Sequence, residues 1–422
     1  MSPLKRVGII HAYPSQYMID SITRTGIRVV LVVPEDFDSV IDGVEHVIRA
    51  QFTDYASLYE SICNLSNSLK IDAFIPLNEG TVIQTARINA DLGLKGYSVG
   101  TAVSSRNKFS SFLLWNTLRI SCPESYLVYD ADSAWSLAKS KFGGRGVLKL
   151  VDSMNSQGVI SFATENDCIA AFTKLNEMVS RSVDVSRLED RNRFAYGLSN
   201  ATIMLQEYCA GKEVSVELFL SPQHGDLALA VLEKIPSSGP YFAETASYSP
   251  ASLTSLETER VVNLAIQGVR AMGFTQGVAH VEIRYDGDTP KILEAGLRPG
   301  GGYTAQLVER LTGNNLYALL AQLSCNVDFD FIPVKDAAQS ILFGGVVYQK
   351  SGNLISVKRD VDIDSIPGLE KLIVLNSVGD PVRAMPESAQ PHYCYYLISG
   401  TDRDQILESH YTITKSIHIE IE

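Results

Sequence analysis

Three near-continuous apolar runs near the start of the chain constrain its fold most strongly. They read RVGII, IRVVLVV and IDAFIPL, and stretches of helical composition such as DYASLYESICNLSNSLK and GTVIQTARINADLG lie around them. A strand that is apolar on both faces is typical of a parallel sheet with helices on both sides. The alternation therefore predicts a doubly wound α/β domain over residues 1–106. The segment after the first strand, GIIHAYPSQ, lacks the G-x-G-x-x-G pattern, which argues against a dinucleotide-binding enzyme.

Size and charge exclude several classes of protein. A chain of 422 residues is too long for one typical core, so two or three packed units are expected. The net charge of −12 argues against a nucleic acid or an anionic membrane as partner. The six cysteines are scattered without a C-x-x-C pair, which offers neither a zinc site nor a disulfide framework. No run approaches the ~18 apolar residues of a membrane helix. We expect a soluble, cytoplasmic protein, with a homodimer as a candidate assembly.

The pattern changes after residue 106. GVLKL and GVISF predict strands that flank the polar loop VDSMNSQ, within a small central subdomain over residues 107–205. The polar stretch 181–200 is predicted to be a mobile loop. The predicted strand TIMLQEY, residues 202–208, spans the boundary to a larger domain predicted over 206–422. That domain has predicted strands in EVSVELFL and DLALAVLEKI and a helix in LETERVVNLAIQGVRAMG that ends at Gly273. From about residue 333 the composition indicates a β-rich subdomain, in which a Lys-Ser-Gly-Asn turn joins ILFGGVVYQ to LISVK.

The segment VEIRYDGDTPKILEA, residues 281–295, predicts a hairpin with an unfavourable charge pair. The predicted pairs are Tyr285 with Lys291, Ile283 with Leu293, and Glu282 with Glu294. Directly opposed like charges destabilise a sheet, so a positive partner is required. Mg²⁺ is the simplest partner, because it prefers carboxylate and phosphate oxygens. The alternative is an ordinary exposed hairpin followed by a glycine-rich turn.

A candidate anion site follows this hairpin. Arg298 precedes three glycines, Gly300, Gly301 and Gly302. A guanidinium beside side-chain-free backbone amides is suited to bind phosphate or carboxylate oxygens.

Three earlier segments indicate the same kind of ligand. Lys108 begins a helix in SSRNKFSSFLL, and Lys149 ends a strand before a loop that contains Ser153, Ser156 and Gly158. Small residues in such a loop let backbone amides approach phosphate oxygens. Taken singly, a lysine on a solvated face and an ordinary turn explain these features equally well.

The third segment, LQEYCAGKEVSVE, suits the rest of a nucleotide. The strand end at Glu207, Tyr208 and Cys209 can offer backbone groups to an adenine edge, and Glu213 can accept hydrogen bonds from ribose hydroxyls.

The order of these four segments resembles the ATP-grasp superfamily over residues 75–310. Within it, the chain is most similar to the L-amino acid ligases of the bacilysin-synthetase type, which make dipeptides. FIPLNEGTVIQTARINADLGLKGYSVGTAVSSRNK, YFAETASYSP and GVAHVEIR…ILEAGLRPGGG resemble three of their segments. The sequence departs from the family pattern at Asn107, where aspartate is usual, and at Ser247, where histidine is usual. Gly296 stands where many ATP-grasp ligases have an asparagine, which this ligase group also often lacks.

The resemblance implies an ATP-grasp fold with mixed α/β and α+β architecture, and a two-step reaction. A carboxylate attacks the γ-phosphate of ATP, and an amine then attacks the acyl phosphate. Two Mg²⁺ ions, or Mn²⁺ in their place, are expected on Glu282 and Glu294, with Lys108 and Lys149 on the nucleotide phosphates.

The likeness also implies roles for the remaining candidates. Arg298 and Gly301 would stabilise the acyl phosphate, and Glu244 would bind the ammonium of the first amino acid. The other expected substrate-site residues are Ser247, His280, Gly300, Gly302 and Glu79. His280 is also explained as a buried, hydrogen-bonded histidine, and Glu79 as a cap at a strand end.

Two other functions stay open. One is an ATP-grasp ligase that condenses a non-amino carboxylic acid with an amine in natural-product biosynthesis. The other is a nucleotide-binding regulator without catalysis. A carboxylate at Glu244 that binds ammonium favours amino acid substrates over the first alternative, and the intact glutamate pair with Arg298 argues against the second.

Overall fold

Four β-sheets organise the part of the chain that the computed structural model describes. The described residues are 4–52, 54–66, 69–181, 203–236, 239–333, 340–388 and 390–422. Most of the stretch 181–200, predicted as a mobile loop, lies outside them. Within the described residues no helix is both long enough and apolar enough to cross a bilayer.

The first sheet is the parallel sheet that the apolar runs predict. Its strands are β1 (Arg6–Ile10), β2 (Arg28–Pro34), β3 (Val44–Ala50) and β4 (Ala73–Ile75), and its helices are α1 (Gln16–Thr23), α2 (Tyr55–Ser66), α3 (Val82–Asp91) and α4 (Val99–Arg106). The strand order is β3-β2-β1-β4, all parallel. Alternate side chains enter two cores, one on the α1 side and one on the α2–α3 side. Strand β3 was not predicted from the sequence, because it is a half-exposed edge strand without a continuous apolar run.

The second sheet is antiparallel and lies in the predicted central subdomain. Its strands are β5 (Ser125–Leu127), β6 (Gly146–Leu150), β7 (Val159–Phe162) and β8 (Ile203–Glu207), with α6 (Ala131–Phe142) and α7 (Glu165–Arg181) packed against them. The strand order is β5-β8-β6-β7. The preceding helix α5 (Lys108–Thr117) instead packs through Trp115 in the core beneath the largest sheet.

The largest sheet has eight strands and forms the floor of the candidate site. The strands that concern the site are β9 (Lys212–Ser221), β10 (Gly225–Lys234), β11 (Ala246–Ser249), β12 (Gly277–Tyr285), β13 (Lys291–Gly296) and β14 (Ser340–Val347). Helix α8 (Ser255–Ala271) covers the opposite face. It begins at a capping box between Thr254 and Glu257, and Gly273 follows it with φ +79°, so the predicted end is confirmed.

The C-terminal part completes this sheet and adds a small one. The remaining elements are α9 (Thr304–Thr312), α10 (Leu316–Ser324), β15 (Gly352–Arg359), β16 (Leu369–Val374), β17 (Pro381–Val382), β18 (His392–Gly400), α11 (Arg403–Ser416) and β19 (Ile417–Ile421). The large sheet runs β13-β12-β9-β10-β11-β14-β18-β16, and the small one runs β17-β15-β19. The strands on either side of the Lys-Ser-Gly-Asn turn are present, but β14 and β15 belong to different sheets. That turn therefore does not close a hairpin.

Candidate functional site

A cleft of about 160 Å³ lies over the large sheet, between it and the second sheet. Most of the candidate residues line it, although they come from segments nearly two hundred residues apart. These residues are Lys108, Lys149, Ser153, Ser156, Glu207, Tyr208, Cys209, Glu213, Glu244, Ser247, His280, Glu282, Glu294, Arg298, Gly301 and Gly302. Gly158, Gly300 and Glu79 are not part of its lining.

The alternation of β9 explains why the floor of the cleft is charged. In KEVSVELFLS, Glu213, Ser215 and Glu217 point to one face, and the valines between them point to the other. The valines are fully buried against α8, as are Ala279, Val281 and Ile283 of β12. The apolar face therefore fixes the register, and it holds the polar residues on the side of the cleft.

Glu282 and Glu294 are direct cross-strand partners, as the hairpin analysis predicts. The rest of the predicted register is wrong, since Ile283 pairs with Ile292 and Arg284 pairs with Lys291. A β-bulge after Glu282 leaves Leu293 without a direct partner. The bulge allows Ile292 to enter the core while Leu293 and Glu294 both face the cleft.

Two lysines supply the positive charge that the glutamate pair requires. Lys234, at the end of β10, donates to Glu282 at 2.6 Å and to Glu244 at 2.6 Å, and it lies 3.0 Å from Glu213. Lys108 donates to Glu294 at 3.2 Å and to the carbonyl of Ser153 at 2.6 Å. The repulsion between the glutamates is thus offset in the protein itself.

The pKa values reflect this pairing. Burial opposes the ionised form of Glu282, but Lys234 and His280 outweigh it and hold the pKa of this carboxyl well below its usual range. Burial likewise opposes the charge on Lys234, but its three glutamates raise its pKa well above the usual value. These groups are therefore ionised at neutral pH.

The two glutamates fit a magnesium site. Mg²⁺ beside nucleotides is usually held by one or two carboxylates, with phosphate oxygens and water as the other ligands. No group of three or more histidine, cysteine or acidic residues is positioned to hold a metal within the described residues. A cation held by Glu282 and Glu294 would accordingly need oxygens from a bound nucleotide.

His280 is held by Glu217, which the sequence analysis did not select. Its Nδ1 donates to Glu217, and its Nε2 lies 3.6 Å from Glu282. Burial lowers the pKa of His280, but Glu217 and Glu282 outweigh it and raise the pKa to about 10. Glu217 also accepts the amide of Gly300 at 3.2 Å, so this amide is already engaged. His280 is thus both a buried, hydrogen-bonded histidine and part of the cleft wall.

Arg298 is fixed from behind by Glu79. The carboxylate of Glu79 accepts from Arg298 and, at 2.6 Å, from Arg106. Burial raises the pKa of Glu79, but the two arginines outweigh it and lower the pKa to about 2. Neither Glu309 nor Asp288 forms an ion pair or a hydrogen bond with Arg298. A side chain at Gly296 would approach this pair, because its Cβ would lie 3.1 Å from Glu79.

The loop between β6 and β7 carries the second candidate lysine. Lys149 is buried and makes no side-chain hydrogen bond or ion pair within the described part of the chain. Burial lowers its pKa, and Glu294 partly offsets the effect. Ser153 and Ser156 face the cleft, whereas the amide of Gly158 donates to the carbonyl of Pro386 at 2.9 Å. Because the amide of Gly158 is already engaged, a phosphate would have to be bound by other groups of the loop.

The other end of the cleft has the features expected around a nucleoside. Glu207 accepts from Lys291 at 2.7 Å, and the ring of Tyr208 lies 3.5 Å from the guanidinium of Arg145. Glu213 accepts from Arg284 at 2.6 Å. Leu293 lines the same part of the cleft as Glu213 and the residues at the end of β8.

Several functional candidates were missed by the sequence analysis. They are Lys234, Glu217, Arg284, Leu293, Phe343, His392 and Tyr395, which line or support the cleft. The period-two pattern of EVSVELFL could have identified Glu217, since it repeats the face of Glu213. Lys234 carries no such signal, because its partners come from strands that are distant in sequence.

Residues 145–306 match the model of the ATP-grasp domain. Carnosine synthase 1 of Homo sapiens is 25% identical over 257 residues, which is 60% of this chain and 30% of that protein. The carnosine synthase 1 of Gallus gallus is 30% identical over 156 residues, which is 37% of this chain and 16% of that protein. The chain therefore spans less than a third of the curated relatives that it matches.

Solved structures match over the whole chain. An L-amino acid ligase from Bacillus licheniformis superposes with a TM-score of 0.83 at 20% identity, covering 100% of both chains. A phosphoribosylglycinamide synthetase from Anaerococcus prevotii superposes with a TM-score of 0.68 at 14% identity, covering 99% of this chain and 100% of the other.

The chain contains an ATP-grasp domain at residues 145–306, and the ATP-grasp fold predicted from its sequence is confirmed. Its fold is similar over the full length to that of an L-amino acid ligase, the group that its motifs resemble.

Proposed function

We propose that this chain is an ATP-dependent ligase that joins the carboxylate of one amino acid to the amine of another, forming a dipeptide or a related amide and releasing ADP and phosphate. The observation that carries the proposal is the cross-strand pair Glu282–Glu294, in one cleft with Lys108, Lys149 and Arg298. An acidic pair suits a metal–nucleotide complex, and the three cations suit its phosphates.

The reaction has two steps. An oxygen of the substrate carboxylate attacks the γ-phosphorus of ATP, and the bond from that phosphorus to ADP breaks. The amine nitrogen then attacks the acyl carbon, the bond from that carbon to phosphate breaks, and the nitrogen loses a proton. Both steps develop negative charge on oxygens, so cations and amides fixed in place accelerate them.

In the nucleotide half, Lys108 and Lys149 hold the phosphates, with Ser153, Ser156 and the loop that contains Gly158. The backbone of Glu207, Tyr208 and Cys209 meets the adenine, and Glu213 meets the ribose. Mg²⁺ on Glu282 and Glu294 would neutralise the charge of the phosphoryl group during transfer. Lys234 must then share or release Glu282, because the same carboxylate cannot keep all its contacts to the ammonium and also hold the cation.

In the acyl half, Arg298 and the amide of Gly301 stabilise the acyl phosphate. Glu79 positions Arg298, and His280 with Glu217 positions the backbone at Gly300. Glu244 and Ser247 border the amino acid, with Gly302 beside them. The proposed division of the chain into residues 1–106, 107–205 and 206–422 places this half at the junction of the first and last units.

A ligase for a non-amino carboxylic acid is the second candidate. One observation favours it: the carboxylate of Glu244 is already neutralised by Lys234 at 2.6 Å. An ammonium group would have to compete with that lysine.

The test is ADP and phosphate release by the purified protein with Mg·ATP and all pairs of amino acids, with amide formation followed by mass spectrometry. Release that requires amino acids, and that is lost in Glu294→Gln, is the expected result. Release with simple carboxylic acids alone would establish the second candidate. Nucleotide binding without release under any of these conditions would indicate a regulator.

A further inference from the structure

Aromatic side chains form one wall of the cleft, and the proposed reaction does not use them. Phe343 of β14 packs against Tyr395 of β18 with ring centroids 5.1 Å apart, and Tyr395 packs against His392 at 4.7 Å. All three rings line the cleft. Tyr303 supports them from behind, with its ring 5.1 Å from that of Phe343. We call Phe343, His392 and Tyr395 the aromatic wall.

The aromatic wall carries no charge. Nε2 of His392 donates to the carbonyl oxygen of Glu244 at 2.9 Å, and Nδ1 accepts from the hydroxyl of Tyr395 at 3.2 Å. Both ring nitrogens are therefore occupied by protein groups. Burial lowers the pKa of His392 and raises that of Tyr395 to about 12, so both are neutral at pH 7.

Phe343 is half-buried and has small residues beside it at the cleft. Its cross-strand partner is Ser247, a small residue that also lines the cleft. Gly302 lies on the other side with φ +61°, and a Cβ there would be 3.4 Å from the Phe343 ring. A side chain at position 302 would thus contact the ring. The combination leaves a partly exposed apolar surface inside the cleft.

The aromatic wall lies within reach of Glu244. Ser247 of β11 pairs with Phe343 on one side and with Lys234 of β10 on the other, and Lys234 donates to Glu244. Phe343 is thus two strands from Lys234, about 10 Å between backbones at the usual strand spacing. An amino acid whose ammonium meets Glu244 can therefore place its side chain on the ring of Phe343.

We propose that the aromatic wall binds the side chain of the amino acid held at Glu244, and that this side chain is aromatic or large and apolar. The proposal rests on the proposed function for the position of the ammonium. A polar side chain would lose water without gaining hydrogen bonds, since the polar atoms of His392 are engaged. Offset or edge-to-face contact with Phe343 and Tyr395 favours another aromatic ring.

Isothermal titration in the presence of Mg²⁺ and a non-hydrolysable ATP analogue tests this directly. The wild-type protein should bind phenylalanine at least tenfold more tightly than alanine, glutamate or lysine. Phe343→Ala should weaken phenylalanine binding about tenfold and leave alanine binding within twofold. Tyr411→Ala, an exposed aromatic residue outside the cleft, is the matched control and should change neither.

A second variant protects the test against misfolding. Ser247→Leu adds bulk opposite Phe343 without removing a packed ring, and it should cause the same selective loss for phenylalanine. Equal binding of alanine and phenylalanine by the wild-type protein, or tighter binding of a charged amino acid, overturns the proposal. An equal loss of affinity for every amino acid in both Phe343→Ala and Ser247→Leu also overturns the proposal.

The ADP-release assay separates this proposal from the proposed function. Selective phenylalanine binding without ADP release would leave the aromatic wall in place and refute the ligase. ADP release with small or charged amino acids, together with weak phenylalanine binding, would support the ligase and refute the proposed role of the aromatic wall.

Discussion

Glu282 lies directly opposite Glu294 across the β12–β13 pair, and each carboxylate is paired with a different lysine. Lys234 is held by three carboxylates, whereas Lys108 is shared between Glu294 and a backbone carbonyl. The two glutamates are therefore not equivalent. Glu294 is held by one ion pair at 3.2 Å, and Glu282 is the more strongly constrained of the two.

Glu294→Gln should reduce turnover about 100-fold or more, because a carboxylate that holds the metal contributes several kcal/mol of charge stabilisation. The fold should persist, since the change relieves repulsion with Glu282. Steady-state kinetics over a range of Mg²⁺ concentrations and melting curves without metal check this. Glu259→Gln on the exposed face of α8 is the matched control. Wild-type activity at limiting Mg²⁺ would contradict the metal assignment.

Lys234→Met should lower the free energy of unfolding by about 3 kcal/mol in the absence of divalent ions, because it leaves buried carboxylates without their shared cation. Mg²⁺ added with a non-hydrolysable ATP analogue should then raise the melting temperature of the variant more than that of the wild type, since the ion no longer competes with an ammonium for Glu282. Thermal unfolding with the analogue, with and without Mg²⁺, is the measurement.

Lys358→Met, on the exposed face of β15, is the control for loss of a lysine. A Lys234 variant with the stability and the magnesium response of the wild type would show that this lysine is not a competitor of the metal.

The sequence predicted the parts of the site that local patterns encode. Glu282 and Glu294 lie on the two strands of one predicted hairpin, so the sequence brings them close together. Their direct opposition depends on the bulge, because the register at Arg284 and Lys291 alone would place Glu282 opposite Leu293. The bulge at Leu293 was not predictable, because it arises from burying Ile292 under α8 rather than from the turn.

Partners were harder to predict than positions. Glu79 was selected from its motif, but its arginines, Arg106 and Arg298, lie 27 and 219 residues away in the chain. The pairing depends on how the N-terminal sheet meets the large sheet, which no local pattern encodes. The aromatic wall was missed for the same reason, since β14 and β18 carry no motif and reach the cleft only through strand order.

Glu79→Gln should destabilise the protein by about 3 kcal/mol at pH 7, because two buried guanidinium groups lose their common carboxylate. The folded pKa of about 2 lies below the ordinary value of 4.5, so the unfolded state binds the proton more tightly. The contribution of ionised Glu79 to the free energy of unfolding is therefore complete above about pH 4.5 and is lost as the pH falls towards 2. Urea unfolding of the wild type and of Glu79→Gln at several pH values should show that the difference between their free energies of unfolding decreases between about pH 4.5 and about pH 2.

Glu60→Gln, on the exposed face of α2, should show no such narrowing. A difference between wild type and Glu79→Gln that stays constant down to pH 3 would contradict the low pKa of Glu79.

Nucleotide binding should slow hydrogen exchange in the loop 151–158. The amides of Ser153 and Ser156 have no hydrogen-bond partner among the described residues, whereas those of Gln157 and Gly158 donate to Met154 and Pro386. A non-hydrolysable ATP analogue with Mg²⁺ should therefore protect positions 153 and 156 more than 157 and 158. Exchange in α8 serves as the internal control, and equal exchange in both states would refute the phosphate role of this loop.

Arg298 should act in the chemical steps rather than in nucleotide binding. Its Nε donates to Glu79 and its Nη1 donates to the carbonyl of Pro299 at 2.7 Å, while Nη2 makes no hydrogen bond within the described residues. Arg298→Lys keeps the charge but cannot hold Glu79 and a phosphate at once. We expect kcat to fall about 100-fold, as for loss of one oxyanion donor, with little change in the KM for ATP.

The structural explanation for Arg298 makes a different prediction. If the guanidinium only neutralises Glu79, the lysine variant should keep most of its kcat, and Arg298→Ala should mainly lower the melting temperature. Glu79→Gln shows the effect of losing the ion pair alone, because it leaves the guanidinium of Arg298 in the cleft. A lysine variant with near-normal kcat would refute the catalytic role. A kcat that falls in both Arg298 variants far more than in Glu79→Gln would support it, because only an interaction made in the transition state separates those effects.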